Sequence, residues 1–321
     1  MKGLWLEDRQ ITYRIDIPRA EVGPGMALIK LRLAGICATD LEMTRGYYPF
    51  TGVPGHEFVG EVVEAPGHDS WVGQRVVGEI NLTCRYCRAC LAGREHHCAN
   101  RTVLGILGHD GVFAEYFTLP VENLHAVPES VPDDTAVFTE PLAAALEIQQ
   151  QVQIQPDMRV LVVGAGRLGM LIAQTLRLTG CDLRVVVRRE EPAQMLARYG
   201  IESIFIDAVE ENSADLVVEV TGAPGGFELS RKAVRPAGTL VLKSTFAGDV
   251  TMDLSALVVD EVTLVGSRCG PFEPALRLLE AGLVDLRPMI DAQYGLAEGV
   301  AAFEKAAEHG VLKVVVRPDE A

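Results

Sequence analysis

The rhythm of hydrophobic and polar positions changes once along this chain. Up to about residue 145 the apolar residues come in short stretches, ALIKLRL at 27–33, GEVVE at 60–64 and QRVVGE at 74–79, separated by Gly, Pro and polar turns. Short β-rich runs punctuated in this way predict an all-β or barrel-like domain. After Pro141 the pattern lengthens, with a helical period at Leu142–Gln153 and alternating strand and helix signals beyond it. Strands are expected at Arg159–Val163, Leu183–Arg188, Ser203–Ile206, Asp215–Val220, Thr239–Lys243 and Val262–Val265, with a helix at Met170–Leu178. Such alternation implies βαβ units on a parallel sheet, and six strands complete a doubly wound dinucleotide fold. Two more helices, Glu273–Ala281 and Leu296–His309, and a closing strand, Lys313–Val316, lie past the sixth strand and can return to the first domain. The expected organisation is α/β: a β-rich domain from 1–145 joined by 271–321, and a Rossmann domain at 146–270.

Composition narrows the partners. The 321 residues are 48% hydrophobic and 23% charged, an ordinary globular mixture. A formal charge of −15 with no Lys/Arg block repels phosphate backbones, so no nucleic acid partner is expected. No apolar run approaches the roughly 18 residues that span a bilayer, so no membrane partner is expected either. The opening MKGLWLEDRQITYRIDIP breaks every apolar stretch with charge and does not read as a secretory signal. Seven cysteines, an odd number, fit a disulfide framework poorly and point to reduced thiols in the cytoplasm.

Four of those cysteines, Cys84, Cys87, Cys90 and Cys98 in CRYCRACLAGREHHC, let one short loop wrap a tetrahedral zinc. A site closed by four thiolates is structural, since it keeps no open position. His96 and His97 beside them are read as loop residues. Cys37, in GICATD, and Gly55-His56-Glu57 supply a thiolate, an imidazole and a carboxylate. Mixed sets of this kind leave a coordination position open and suit a catalytic zinc.

The run RVLVV at 159–163 leads into Gly164-Ala-Gly166-Arg167-Leu168-Gly169 and then an apolar helix. Strand before and helix after is the context a dinucleotide turn requires. Gly164 makes the turn, Gly166 lets the backbone approach the pyrophosphate, and Gly169 lets helix and strand pack. About 20 residues on, where an Asp or Glu usually holds the ribose hydroxyls, stand Arg188 and Arg189. Two guanidiniums can grip a 2′-phosphate, which favours NADP over NAD, unless Glu190 and Glu191 neutralise them. Val220-Thr221-Gly222 and Gly266-Ser267-Arg268 fall at strand ends, on the edge where open α/β sheets bind ligands.

Taken in order, the Cys37 segment, Gly55-His56-Glu57, the four-cysteine lobe, GVFAEY at 111–116 and Gly164–Gly169 resemble the zinc-dependent medium-chain dehydrogenase/reductase family over essentially the whole chain. The family includes alcohol, polyol, threonine and glucose dehydrogenases. The resemblance implies a GroES-like catalytic domain built from both termini with the coenzyme domain between them. It implies a structural zinc in the lobe and a catalytic zinc on Cys37, His56 and Glu57 or Glu140 or both, because the E-P-L context of Glu140 is similar to the polyol, threonine and glucose branch. Thr39 matches the residue that bonds the substrate hydroxyl, Asp40 the carboxylate that orients His56, and Lys313 the basic residue that reaches the pyrophosphate. Glu42 stands where many members carry a relay histidine. The implied activity is hydride transfer between a secondary alcohol, such as a polyol, sugar or amino alcohol, and a nicotinamide, in a homodimer or homotetramer. The alternatives are a simple-alcohol dehydrogenase or aldehyde reductase, and a non-catalytic zinc-lobe binding protein.

Overall fold

In the computed structural model, which describes residues 1–245 and 249–319, the chain divides into two compact units, Met1–Glu140 with Phe272–Ala321, and Pro141–Pro271. The first begins with a hairpin, β1 (Gly3–Glu7) and β2 (Gln10–Arg14). Its turn residues Asp8 and Arg9 carry φ of 49° and 67°, conformations usually left to Gly or Asn, which is why the turn is silent in the sequence. The spine of this unit is β3 (Met26–Gly35), followed by α1 (Ala38–Thr44), β4 (Glu57–Glu64) and β5 (Arg75–Gly78).

A small three-stranded sheet, β6 (Asn81–Leu82), β7 (Thr102–Leu104) and β8 (Gly108–His109), frames the cysteine lobe with its short α2 (Arg88–Leu91). After β9 (Tyr116–Pro120), β10 (Leu124–Ala126) and α3 (Asp133–Ala136) comes α4 (Thr139–Gln151). It starts three residues before the expected position, with Pro141 in its first turn, where a missing N–H costs nothing.

The second unit is built on β11 (Arg159–Val163), β12 (Asp182–Val187), β13 (Glu202–Phe205), β14 (Ala214–Glu219), β15 (Val234–Leu242) and β16 (Thr263–Gly266). Between them lie α5 (Arg167–Arg177), α6 (Glu190–Arg198), α7 (Pro224–Ala233) and α8 (Leu254–Val259). All six strands are parallel in the order β13-β12-β11-β14-β15-β16, the doubly wound 3-2-1-4-5-6 arrangement. The near-continuous apolar runs of β11 and β14 follow from burial on both faces. Their core gathers Leu161, Val163, Val217, Phe227 and Leu240.

The chain then completes the first unit with α9 (Phe272–Glu280), β17 (Ile290–Gly295), α10 (Gly299–Ala307) and β18 (Lys313–Arg317). The expected helix from Leu296 opens with a tighter turn at Leu296–Glu298, so α10 itself starts at Gly299. The main sheet runs β10-β5-β4-β3-β18-β17, with β9 also on β3. The C-terminal strand therefore joins the N-terminal part of this unit at β3, where Val315 of β18 pairs with Gly35 and Glu57 of β4 pairs with the same glycine. The rings of Phe113 and Phe303 meet edge to face, 5.6 Å apart, within the hydrophobic core of this unit. No helix among the described residues is long and apolar enough to cross a membrane.

Candidate active site

Cys37 sits just past the end of β3, as the N-cap of α1. Asp40, at the third helical position, is 1% exposed and accepts the Cys37 backbone N–H through Oδ2 at 2.8 Å. Its other oxygen, Oδ1, lies 3.3 Å from Nδ1 of His56, an ion-pair contact without hydrogen-bond geometry. One carboxylate thus ties the cysteine backbone to the imidazole. Burial works against a charged His56, which is 3% exposed, yet the charges of Asp40 and Cys37 outweigh it and raise the pKa well above that of a free imidazole. A thiol and a buried imidazole, with a carboxylate at the imidazole's Nδ1, are a donor set that fits a zinc ion. Half-buried Thr39 makes no hydrogen bond through its hydroxyl among the described residues.

The turn that carries His56 is braced by the GVFAEY segment. Gly111 N donates to Val53 O at 2.6 Å, Val112 N to Gly55 O at 3.1 Å and Phe113 N to Pro54 O at 3.1 Å. Gly55 has φ +98°, and a Cβ there would lie 2.5 Å from the Phe113 ring, so both conformation and space demand glycine.

Glu57 and Lys313 depart from expectation. Glu57 was expected at the metal and Lys313 at the coenzyme pyrophosphate, but the two side chains, 1% and 4% exposed, form a buried ion pair through Oε2 and Nζ. The sheet dictates this, since β4, β3 and β18 are neighbours and Gly35 between them leaves room: a Cβ there would lie 2.5 Å from Glu57 Oε2. Lys313 Nζ also lies 5.4 Å from the Phe138 ring, two residues before Glu140. Glu140 is half-buried in the first turn of α4. Among the described residues Cys37, His56 and either glutamate do not form a three-ligand group with all ligand atoms within 4.8 Å. Glu42, at the place of the relay histidine, is ion-paired to Arg45 at 2.6 Å.

The cysteine lobe does form such a group, with the ligand atoms of Cys84, Cys87, Cys90 and Cys98 all within 4.8 Å of one another. Sulfur separations are 3.5 Å for Cys84 to Cys98, 3.5 Å for Cys87 to Cys90 and 3.9 Å for Cys87 to Cys98. Four sulfurs about 2.3 Å from a tetrahedral zinc stand about 3.8 Å apart, so the cage fits that ion. Backbone amides at Cys90 and Ala99 pull the Cys87 thiol down to about 6, toward the thiolate that metals bind.

The coenzyme turn is read most directly from its glycines. Gly164 has φ +120°, and a Cβ there would meet Val220 O at 2.8 Å; a Cβ on Gly169 would sit 2.0 Å from Gly164 O. A Cβ on Gly166 would meet nothing within 4 Å. Two glycines therefore serve close packing, while the middle one faces open space at the N-terminus of α5, whose N-cap makes no side-chain bond. Backbone N–H groups directed into open space at a helix N-terminus fit a pyrophosphate. Arg167 and Leu168 form the first turn of that helix. Arg188 and Arg189 follow β12, both exposed, and among the described residues neither is ion-paired to Glu190 or Glu191.

Thr221 lies past the end of β14, but its hydroxyl turns to Glu219 Oε1 at 2.6 Å, and its N–H donates to the same oxygen at 2.8 Å. Glu219, 3% exposed, and Lys243, 8% exposed, are buried charges on this edge that the sequence reading passed over as strand ends. A charged residue closing an apolar run was the available signal.

The model of the alcohol dehydrogenase GroES-like domain matches residues 23–129 and that of the zinc-binding dehydrogenase matches residues 168–281. L-threonine 3-dehydrogenase of Pyrococcus horikoshii is 33% identical over 319 residues, spanning 92% of this chain and 90% of the relative. A protein described as a zinc-binding dehydrogenase from Sinorhizobium meliloti 1021, bound to NADP, has a TM-score of 0.91 at 27% identity and covers 99% of both chains. A cobalt- and zinc-bound thermostable alcohol dehydrogenase from Pyrobaculum aerophilum has a TM-score of 0.89 at 26% identity, again with 99% of both chains covered. The chain belongs to the zinc-dependent medium-chain dehydrogenase/reductase family, oxidoreductases that move a hydride between a secondary alcohol and a nicotinamide coenzyme.

Proposed function

We propose that the β-rich unit carries the chemistry and the doubly wound unit the coenzyme, with the domain limits near 145 and 271. The substrate in this reading is a secondary alcohol bearing further polar groups, a polyol, sugar or amino alcohol. The relative at 33% identity is named for L-threonine, whose hydroxyl is secondary and stands beside an amine. Cys37 and His56 hold the catalytic zinc, and Glu140 supplies the carboxylate, since Glu57 is neutralised by Lys313. When bound, zinc supplies the Lewis acidity that makes a hydroxyl acidic, and the nicotinamide takes the hydride.

The chain's own residues do the rest. Asp40 keeps His56 oriented through Nδ1, leaving the other ring nitrogen for the metal. Thr39, with its hydroxyl unengaged, accepts the substrate's hydroxyl proton in a hydrogen bond and starts its exit. Gly166 and the first turn of α5 receive the pyrophosphate, and Arg188 with Arg189 the 2′-phosphate of NADP in preference to NAD. The four-cysteine lobe holds a second, structural zinc. A homodimer or homotetramer is part of the proposal, with the outer strand β16 as an available edge. So is a cytoplasmic setting, in which all seven thiols stay reduced.

The observation that carries this reading is the single buried carboxylate of Asp40 joining Cys37 to His56. Metal analysis should find about two zincs per subunit, and Cys37→Ala should lose one of them and the hydride transfer while keeping the fold. Retained activity in Cys37→Ala would sink the assignment.

A further inference from the structure

We propose that Gly105 is a positioning residue for the catalytic metal, through which the cysteine lobe holds His56 in place. The inference rests on the two zinc sites proposed above. It gives the lobe's metal a second task beyond closing its own loop.

Gly105 directly follows β7, the strand in which the lobe ends, and lies against the turn that carries His56. A Cβ on Gly105 would stand 2.2 Å from Gly55 O and 2.7 Å from Gly55 N, so the two backbones touch with no side chain between them. The end of β7 is pinned, since Gly105 N donates to His109 O at 2.9 Å and Leu104 N to Ile80 O at 2.9 Å. Close-packed backbone transmits strain, so a shift of β7 is passed to the residue next to His56. The same arm reaches the other ligand: Val103 and Ile106 share a small apolar cluster with Met43 of α1, the helix that Cys37 caps.

The lobe fixes β7 in turn. Its two arms, β6 and β7, pair only at Asn81 with Val103 and Leu82 with Thr102, too short a ladder to hold by itself. Among the described residues of the loop between them, 83–101, only Cys90 and Cys98 are buried, so the loop lacks an apolar core and takes its shape from the metal. Cys84 stands two residues past β6 and Cys98 four residues before β7, with their sulfurs 3.5 Å apart. A zinc shared by them draws the arms together at the base of the lobe. The cluster around Val103 and Ile106 keeps the arm attached without that zinc, so losing it loosens the His56 turn and does not unfold it.

The test uses the zinc-loaded full chain and measures the affinity of the catalytic zinc by competition with a chromophoric chelator; the zinc absent from Cys37→Ala identifies that site. Gly105→Ala is compared with Gly108→Ala. The two glycines have φ of +65° and +63°, so a Cβ strains both backbones alike, but on Gly108 it would meet only the Thr102 side chain, at 3.2 Å. Gly105→Ala should weaken the catalytic zinc at least about tenfold, and Gly108→Ala should leave it within about threefold at a comparable loss of Tm. Cys98→Ala, which empties the lobe, should weaken the remaining catalytic zinc about tenfold as well. The same catalytic zinc affinity in Gly105→Ala and Gly108→Ala, or a Cys98→Ala chain that holds this zinc as tightly as wild type, would make the lobe a clasp only and overturn the proposal. Should one of Gly105→Ala and Cys98→Ala fail to fold, the other decides. A wild type whose zinc content matches that of Cys37→Ala would overturn the catalytic zinc reading itself, and this inference with it.

Discussion

Lys313→Met is the sharpest perturbation of the catalytic unit. The Glu57–Lys313 pair is 1% and 4% exposed, so neither charge has water to fall back on. Removing one partner of a buried pair leaves the other uncompensated and costs about 3–5 kcal/mol. In domains of 150–250 residues each kcal/mol lowers Tm by about 2–4 °C, so the variant should melt roughly 6–20 °C below wild type. Met fills the lysine stem's space, so the loss is electrostatic and not a cavity. The double variant Glu57→Gln with Lys313→Met removes both charges; Gln fits the space that Gly35 leaves for the carboxylate. It should recover all but about 1 kcal/mol, since replacing a buried pair whole is often neutral. Calorimetry on the metal-loaded chain, with both single variants and the double, gives the coupling directly. A Lys313→Met that melts within about 3 °C of wild type, or a double variant no better than the single, would refute the reasoning. A lysine serving mainly the coenzyme pyrophosphate would instead leave Tm in place and weaken coenzyme binding.

Two further predictions concern the coenzyme turn. Gly169→Ala sets a Cβ 2.0 Å from Gly164 O and should cost about 1–3 kcal/mol of stability through overpacking, whereas Gly166→Ala, with nothing within 4 Å, should leave Tm unchanged and weaken the coenzyme about tenfold. Equal Tm losses in the two variants would contradict the division of roles. Arg188→Asp should lower the NADP-to-NAD affinity ratio at least about tenfold by titration with both coenzymes, and an unmoved ratio would remove Arg188 from the 2′-phosphate.

What could be read without coordinates was local. The cysteine lobe and the glycine turn each lie within one short stretch, so spacing alone reports which backbone or sulfur atoms converge, and the geometry has the expected form. The alternation after Pro141 likewise foretold six strands, because burial on both faces of a parallel sheet writes itself as apolar runs. Asp40 was within reach for the same reason, being three residues from Cys37 on one helix turn.

Interactions between distant segments were not legible. Glu57 and Lys313 are 256 positions apart, and only the pairing of β4, β3 and β18 places them side by side, so a carboxylate that reads as a ligand becomes the partner of an ammonium. Lys243 reads as the polar end of a strand until α4 and β16 enclose it. Sequence by itself determined the residue types, the two folds and the local clasps, because these depend on neighbours along the chain. Tertiary structure alone decided which charges are buried together, since burial and distance across a sheet set the electrostatic cost of each charge and hence its partner.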